Sequence, residues 1–81
     1  MKILLFKVST CSQCQKQEAL LQKYGINYIP CELFKNRQLA RRYNVTDVPT
    51  TLLIDYNNDV ILRYNTTMYY SQLENLKNIL G

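Results

Sequence analysis

An apolar run, Ile3-Leu4-Leu5-Phe6 with Val8, ends just before Cys11-Ser12-Gln13-Cys14, and a stretch with helical spacing begins just after it. That junction restricts the chain more than any other feature. The run reads as a buried strand. Ser9 and Thr10 are residue types that cap helix starts. Two cysteines three positions apart in the first turn of a helix can close a small disulfide ring and reopen it. The first would sit at the positive end of the helix dipole, where a thiolate is favoured. A strand end and a helix start must therefore lie side by side, as in an alternating α/β chain.

Composition narrows the chemistry. Histidine is absent, which removes Cys-His and Ser-His-Asp catalysis and imidazole metal ligands together. Three cysteines are too few for a disulfide scaffold, and in a reducing compartment a close pair points to catalysis or metal binding. The 81 residues suffice for one domain, 1–81, near the lower limit for folding on an apolar core alone. The apolar run after Met1-Lys2 is interrupted by Lys7 and lacks a small-residue cleavage site. It reads as a strand rather than a signal peptide, and the expected location is the cytoplasm. No stretch reaches the roughly 18 apolar residues of a membrane span.

The net charge of +4 raises nucleic acid as a partner. Lys35, Arg37, Arg41 and Arg42 cluster in one helical segment without the alternating aromatics of a base-stacking surface. A solvated helix face is the expected reading, with no nucleic-acid role. Such a face can also steer an acidic protein partner.

Strands are expected over 2–8, 26–31, 51–54 and 60–64, and helices over 11–24, 33–43 and 69–80. Gly25 stops the first helix and Asn44 the second. On the first helix Leu20, Leu21 and Tyr24 form the buried face, with Gln17 at its edge and Lys16 pointing away. Leu39 and Tyr43 are the expected buried pair of the second helix. Pro30 cannot donate to a ladder, so its strand belongs at an edge. Asn57-Asn58 suits a hairpin turn. Tyr69, Leu73, Leu76 and Leu80 follow the stripe of a helix packed on a sheet. The order β-α-β-α-β-β-α predicts an α/β fold: a four-stranded mixed sheet, its first two strands parallel, with helices on both faces.

Val48-Pro49-Thr50 is the second signal. A proline just before a strand suits a strand start, and an X-Pro bond is the one kind that adopts the cis form cheaply. With this motif the chain resembles the thioredoxin–glutaredoxin family over nearly its whole length, and looks like a small glutaredoxin-sized thioredoxin. The resemblance rests on Cys11-Ser12-Gln13-Cys14, on Ala40-Arg41-Arg42-Tyr43-Asn44-Val45 leading to Val48-Pro49-Thr50, and on the hairpin and final helix. It implies a thioredoxin fold with cis Pro49 facing the cysteine pair and the Val48 backbone pairing with a substrate chain. Thr10, Ser12, Gln13, Val48, Pro49 and Thr50 are then the substrate-binding candidates, and Thr50 equally suits a plain strand start. Departures are visible too. Thr10 stands where thioredoxins usually have Trp. Leu5 and Pro30 stand where thioredoxins place a buried Asp and Lys. Asn65-Thr66-Thr67 replaces the Gly-Gly…Asp glutathione signature of glutaredoxins.

Cys11, at the helix start, is the expected nucleophile, and Cys14, one turn inside, the resolving thiol. The implied function is a thiol–disulfide oxidoreductase that reduces protein disulfides, a monomer served by a reductase such as thioredoxin reductase. It needs no cofactor beyond its own dithiol. A glutathione-coupled glutaredoxin and an iron–sulfur-cluster-binding or scaffold module are the alternatives. Lys7 and Lys16 are expected in solvent. The Cys14 proton then leaves through water or the departing thiol, and the second step is expected to be slower than in thioredoxins that have the Asp. Cys31 reads as a small apolar filler, with a regulatory disulfide as its functional alternative.

Overall fold

The computed structural model describes all residues, 1–81. The chain forms strand β1 (Lys2–Lys7), helix α1 (Ser12–Lys23), strand β2 (Ile29–Glu32), a 3₁₀ turn (Leu33–Lys35) and helix α2 (Arg37–Arg42). Strands β3 (Thr50–Ile54) and β4 (Val60–Tyr64) and helix α3 (Tyr70–Leu80) follow. The sheet order is β2-β1-β3-β4. β1 runs parallel to β2, while the β1–β3 and β3–β4 pairs are antiparallel. This is the expected mixed four-stranded sheet with the Pro30 strand at an edge. No helix is long and apolar enough to cross a membrane.

The alternation of β1 divides the interior. Ile3 and Leu5, with Leu53, pack against Leu21, Ile26, Met68, Leu73 and Leu76, which puts α1 and α3 on one face. Leu4 and Phe6, with Leu52 and Ile54, pack against Cys31, Ala40, Tyr43 and Val45, which puts α2 on the other. Both helix stops act through a left-handed residue. Gly25 (φ 66°) lets its own amide reach Gln22 O and the Ile26 amide reach Leu21 O. Asn44 (φ 54°) does the same for Arg41 and Ala40 after α2.

Several expectations shift. The single helix over 33–43 is a 3₁₀ turn and a short α2, because the Glu32 carboxylate accepts the Phe34 and Lys35 amides and the Asn36 side-chain amide donates to Glu32 O. That box closes one tight turn before α2 can start. On α2, Ala40 rather than Leu39 is buried beside Tyr43. The second strand begins three residues late, since Ile26 is held by the stop of α1. Tyr69 is 42% exposed and precedes α3 instead of joining its buried stripe, its amide donating to Gln72 Oε1 at 3.0 Å.

Candidate active site

The segment between β1 and α1 turns on the Cys11 amide, which donates to Val8 O at 3.1 Å. Ser9 and Thr10 ride the outside of that bend, both exposed, and neither caps the helix. The cap is Cys11 itself. Its backbone is extended (φ −86°, ψ 111°), and its Sγ accepts the Cys14 amide at 3.1 Å. The bend uses up the residues that sequence types alone would choose, so the last extended residue before α1 is the cysteine. Its sulfur takes the place of a capping oxygen, where backbone donors and the helix dipole meet negative charge.

The two thiols differ in environment. Both are free; Cys11 is partly exposed and Cys14 is 0% exposed. Burial first, and a hydrogen bond to Cys11 second, push the Cys14 thiol up to about 11, while the Val8 backbone and the Lys7 ammonium pull it back. A partly exposed sulfur thus stands at the surface, and a second, buried one held in its protonated form lies behind it.

The proline loop completes the surroundings. The Val48–Pro49 peptide is cis. Gln13, Val48 and Pro49 line one surface groove with Asn65, Thr66, Thr67 and Tyr69. Thr50 lies just behind, 1% exposed, its hydroxyl donating to Asp47 O at 2.6 Å. It therefore pins the loop from beneath and also opens β3. Ser12 and Thr10 are exposed beside Cys11 and line no part of the groove.

Two ties were not legible from residue types. Thr67 donates to Gln13 Oε1 at 2.9 Å, joining the residue between the cysteines to the segment before α3. Gln17 is fully buried rather than at the edge of the helix face, and its Oε1 accepts the Met68 amide at 2.5 Å. Its place three residues after Cys14 and four before Leu21 carried the signal, and its polar side chain masked it. Gln17 Nε2 and Thr51 Oγ1 have no protein partner.

Lys7 is also corrected: it is not free in solvent. Its Nζ donates to Glu18 Oε1 at 2.5 Å, and Tyr28 donates to Glu18 Oε2 at 2.7 Å. Burial pushes the Glu18 carboxyl up, but hydrogen bonds from Lys7 and Tyr28 prevail and hold it below the usual carboxylate range. Lys16 is exposed, its ammonium 5.0 Å from the centre of the Tyr69 ring.

Cys31 belongs to the α2 face of the sheet, 3% exposed, its thiol donating to Ile29 O at 3.6 Å. No group of three or more His, Cys, Asp or Glu side chains converges anywhere. Lys35, Arg37, Arg41 and Arg42 are exposed around α2, on the sheet face opposite α1.

No protein-family model and no curated protein sequence matches the chain. Solved structures do. Thioredoxin 1 from the thermophilic eubacterium Thermosipho africanus superposes with a TM-score of 0.75 at 24% identity, covering 99% of this chain and 94% of that one. Thioredoxin-2, described as a component of the malaria parasite protein secretion machinery, gives 0.76 at 28% identity, covering 95% and 80%. A mutant thioredoxin from Halobacterium salinarum gives 0.77 at 20%, covering 95% and 68%. A partly exposed and a buried thiol at C-x-x-C spacing on this fold support thiol–disulfide oxidoreductase chemistry in general. With four strands in this order and three helices around them, the chain has the thioredoxin fold.

Proposed function

We propose that this chain is a protein disulfide reductase of the cytoplasm, acting as a monomer by dithiol exchange through Cys11 and Cys14. One observation carries the reading: the partly exposed Cys11 sulfur caps α1 and accepts the Cys14 amide, while Cys14 is wholly buried one turn behind it. The Cys11 thiolate attacks a substrate disulfide. One substrate sulfur leaves as a thiolate and the other is joined to Cys11. The Cys14 thiol then loses its proton to water or to the departing thiolate, and its sulfur attacks Cys11. The Cys11–substrate bond breaks, the substrate leaves reduced, and Cys11–Cys14 is left as the disulfide. Atoms and electrons balance with the dithiol as the only reductant, so no bound cofactor enters the cycle. Val48, Pro49 and Gln13 line the docking groove for the substrate chain, beside Thr10 and Ser12, with Thr50 holding the loop from below.

A reductase such as thioredoxin reductase returns the electrons. Insulin reduction, followed by turbidity with dithiothreitol, a flavin thioredoxin reductase, or glutathione plus glutathione reductase as donor, tests this. The expected result is turnover with dithiothreitol and with the flavin enzyme. Turnover with glutathione alone among the enzymatic donors would make the chain a glutaredoxin. Failure with every donor would overturn the reductase reading and leave a cluster-binding or scaffold role.

A further inference from the structure

One group of ionisable side chains has no part in the exchange as described. Lys7 ends β1, and by strand alternation its side chain shares the face of Ile3 and Leu5, the face covered by α1. Its ammonium is fixed by Glu18, which Tyr28 fixes in turn; Gln22 donates to the Tyr28 hydroxyl at 3.1 Å. Glu18 lies four residues after Cys14, so the two side chains stack on one face of α1. The carboxylate therefore holds a cation against the turn of α1 that carries the buried thiol.

The charge around Cys14 changes during the cycle. In the reduced protein Cys14 hydrogen-bonds to Cys11, which keeps the proton on Cys14. Once Cys11 is joined to substrate its sulfur no longer shares the Cys14 proton, and that hold lapses. Burial still opposes ionisation, while the Val8 backbone and Lys7 still favour it. The Glu18 carboxylate shares that face of α1 and opposes ionisation, but it is paired with the Lys7 ammonium and with Tyr28; no other element brings a full charge to the thiol. The segment 65–68 and β3 carry no charged residue, Asp47 is exposed, Lys16 lies over Tyr69, and Glu32 turns away to the 3₁₀ turn.

We propose that Lys7, pinned by Glu18 and Tyr28, is a positioning residue whose ammonium enables Cys14 to ionise and resolve the mixed disulfide. It supplies from β1 and α1 the assistance that Leu5 and Pro30 do not. The purpose of this group rests on the reductase reading, but its test does not require turnover.

In the C11S variant, the Cys14 Cβ chemical shift is followed against pH by NMR. Replacing Lys7 with Met moves the Cys14 midpoint upward by about half a unit or more, and K7R restores it. The K7M/E18Q double variant, compared with E18Q so that the carboxylate field is absent from both, keeps an upward shift. An unchanged midpoint in K7M, or a shift that vanishes in the double variant, overturns the proposal. A K7M chain too unstable to titrate is replaced by K7Q, judged by the same criterion. With Cys11 present, single-turnover release of a bound substrate thiol slows at least about threefold in K7M, the kinetic equivalent of that half unit. A chain that shows the midpoint shift but reduces no disulfide loses the reductase reading and keeps the coupling. A chain that reduces disulfides without the shift loses the coupling alone.

Discussion

Cys14 and Cys31 are both buried thiols, 0% and 3% exposed, and burial pushes both above the ordinary thiol value. They lie on opposite faces of one sheet. Cys31 sits among Leu4, Phe6, Leu52 and Ile54, and its one polar contact is the carbonyl of Ile29, two residues back. Around Cys14 are a capping sulfur, a pinned ammonium and, one turn on, the buried Gln17 with its tie to Met68. Burial alone makes a thiol inert. Burial next to a partly exposed sulfur and a cation leaves one that can still take part in exchange.

The cysteines themselves carry the largest expected effect. C11S and C14S each lower insulin-reduction turnover at least about a thousandfold, and C14S accumulates a mixed disulfide with substrate visible by mass spectrometry. C31A keeps wild-type turnover and loses about 1 kcal/mol of stability in urea unfolding. Loss of turnover in C31A, with its stability retained, would erase the distinction between the faces.

Next in size is Gln17. Replacing it with Leu leaves the Met68 amide without an acceptor, at a cost of about 1 to 3 kcal/mol, reduced somewhat because the unpartnered Nε2 goes as well. Urea unfolding reads this directly. A Q17L chain more stable than wild type would show that the polar side of α1 is a burden.

The smallest effect belongs to the Lys7–Glu18 pair. Glu18 is held below its ordinary 4.5, so its contribution is present above that value and fades as pH falls through its lower folded value. Lys7 is held above its ordinary 10.5, chiefly by the hydrogen bond to Glu18, so its contribution is present below 10.5 and fades as pH rises through its higher folded value. The pair is partly exposed, which keeps it under about 1 kcal/mol. Tyr28, raised from its ordinary 10.0 by burial and by its hydrogen bond to Glu18, titrates next, so the stability difference between wild type and E18Q is flat between pH 4.5 and 10.0 and shrinks at more acid pH. A difference that grows on acidification contradicts the pairing.

The strands, the first helix and the hairpin were legible because each is a local pattern. Four apolar residues in β1 bury both faces of a central strand, Gly25 and Asn44 sit where the chain must turn left-handed, and Asn58 adopts φ 65° in the hairpin. The C-x-x-C junction and its separation from Val48-Pro49 pointed to the candidate site. What escaped was set by distant partners. Gln17 meets a backbone amide 51 residues away, and Gln13 meets a hydroxyl 54 residues away. Lys7 meets Glu18 only because β1 and α1 lie side by side. The Cys11 cap was hidden differently: Ser9 and Thr10 are better capping types, but the turn from Val8 O to the Cys11 amide places them too early. The split of the second helix came from Glu32, whose carboxylate turns back on the next amides instead of continuing the chain into a helix.

The anchoring of α1 at residues 67 and 68 has a consequence for biosynthesis. Cys11 and Cys14 leave the ribosome well before the backbone that fastens their helix, which is translated about fifty residues later. Until then the nascent chain carries two ordinary thiols on an unanchored segment, and it gains its dithiol centre only once Thr67 and Met68 have emerged.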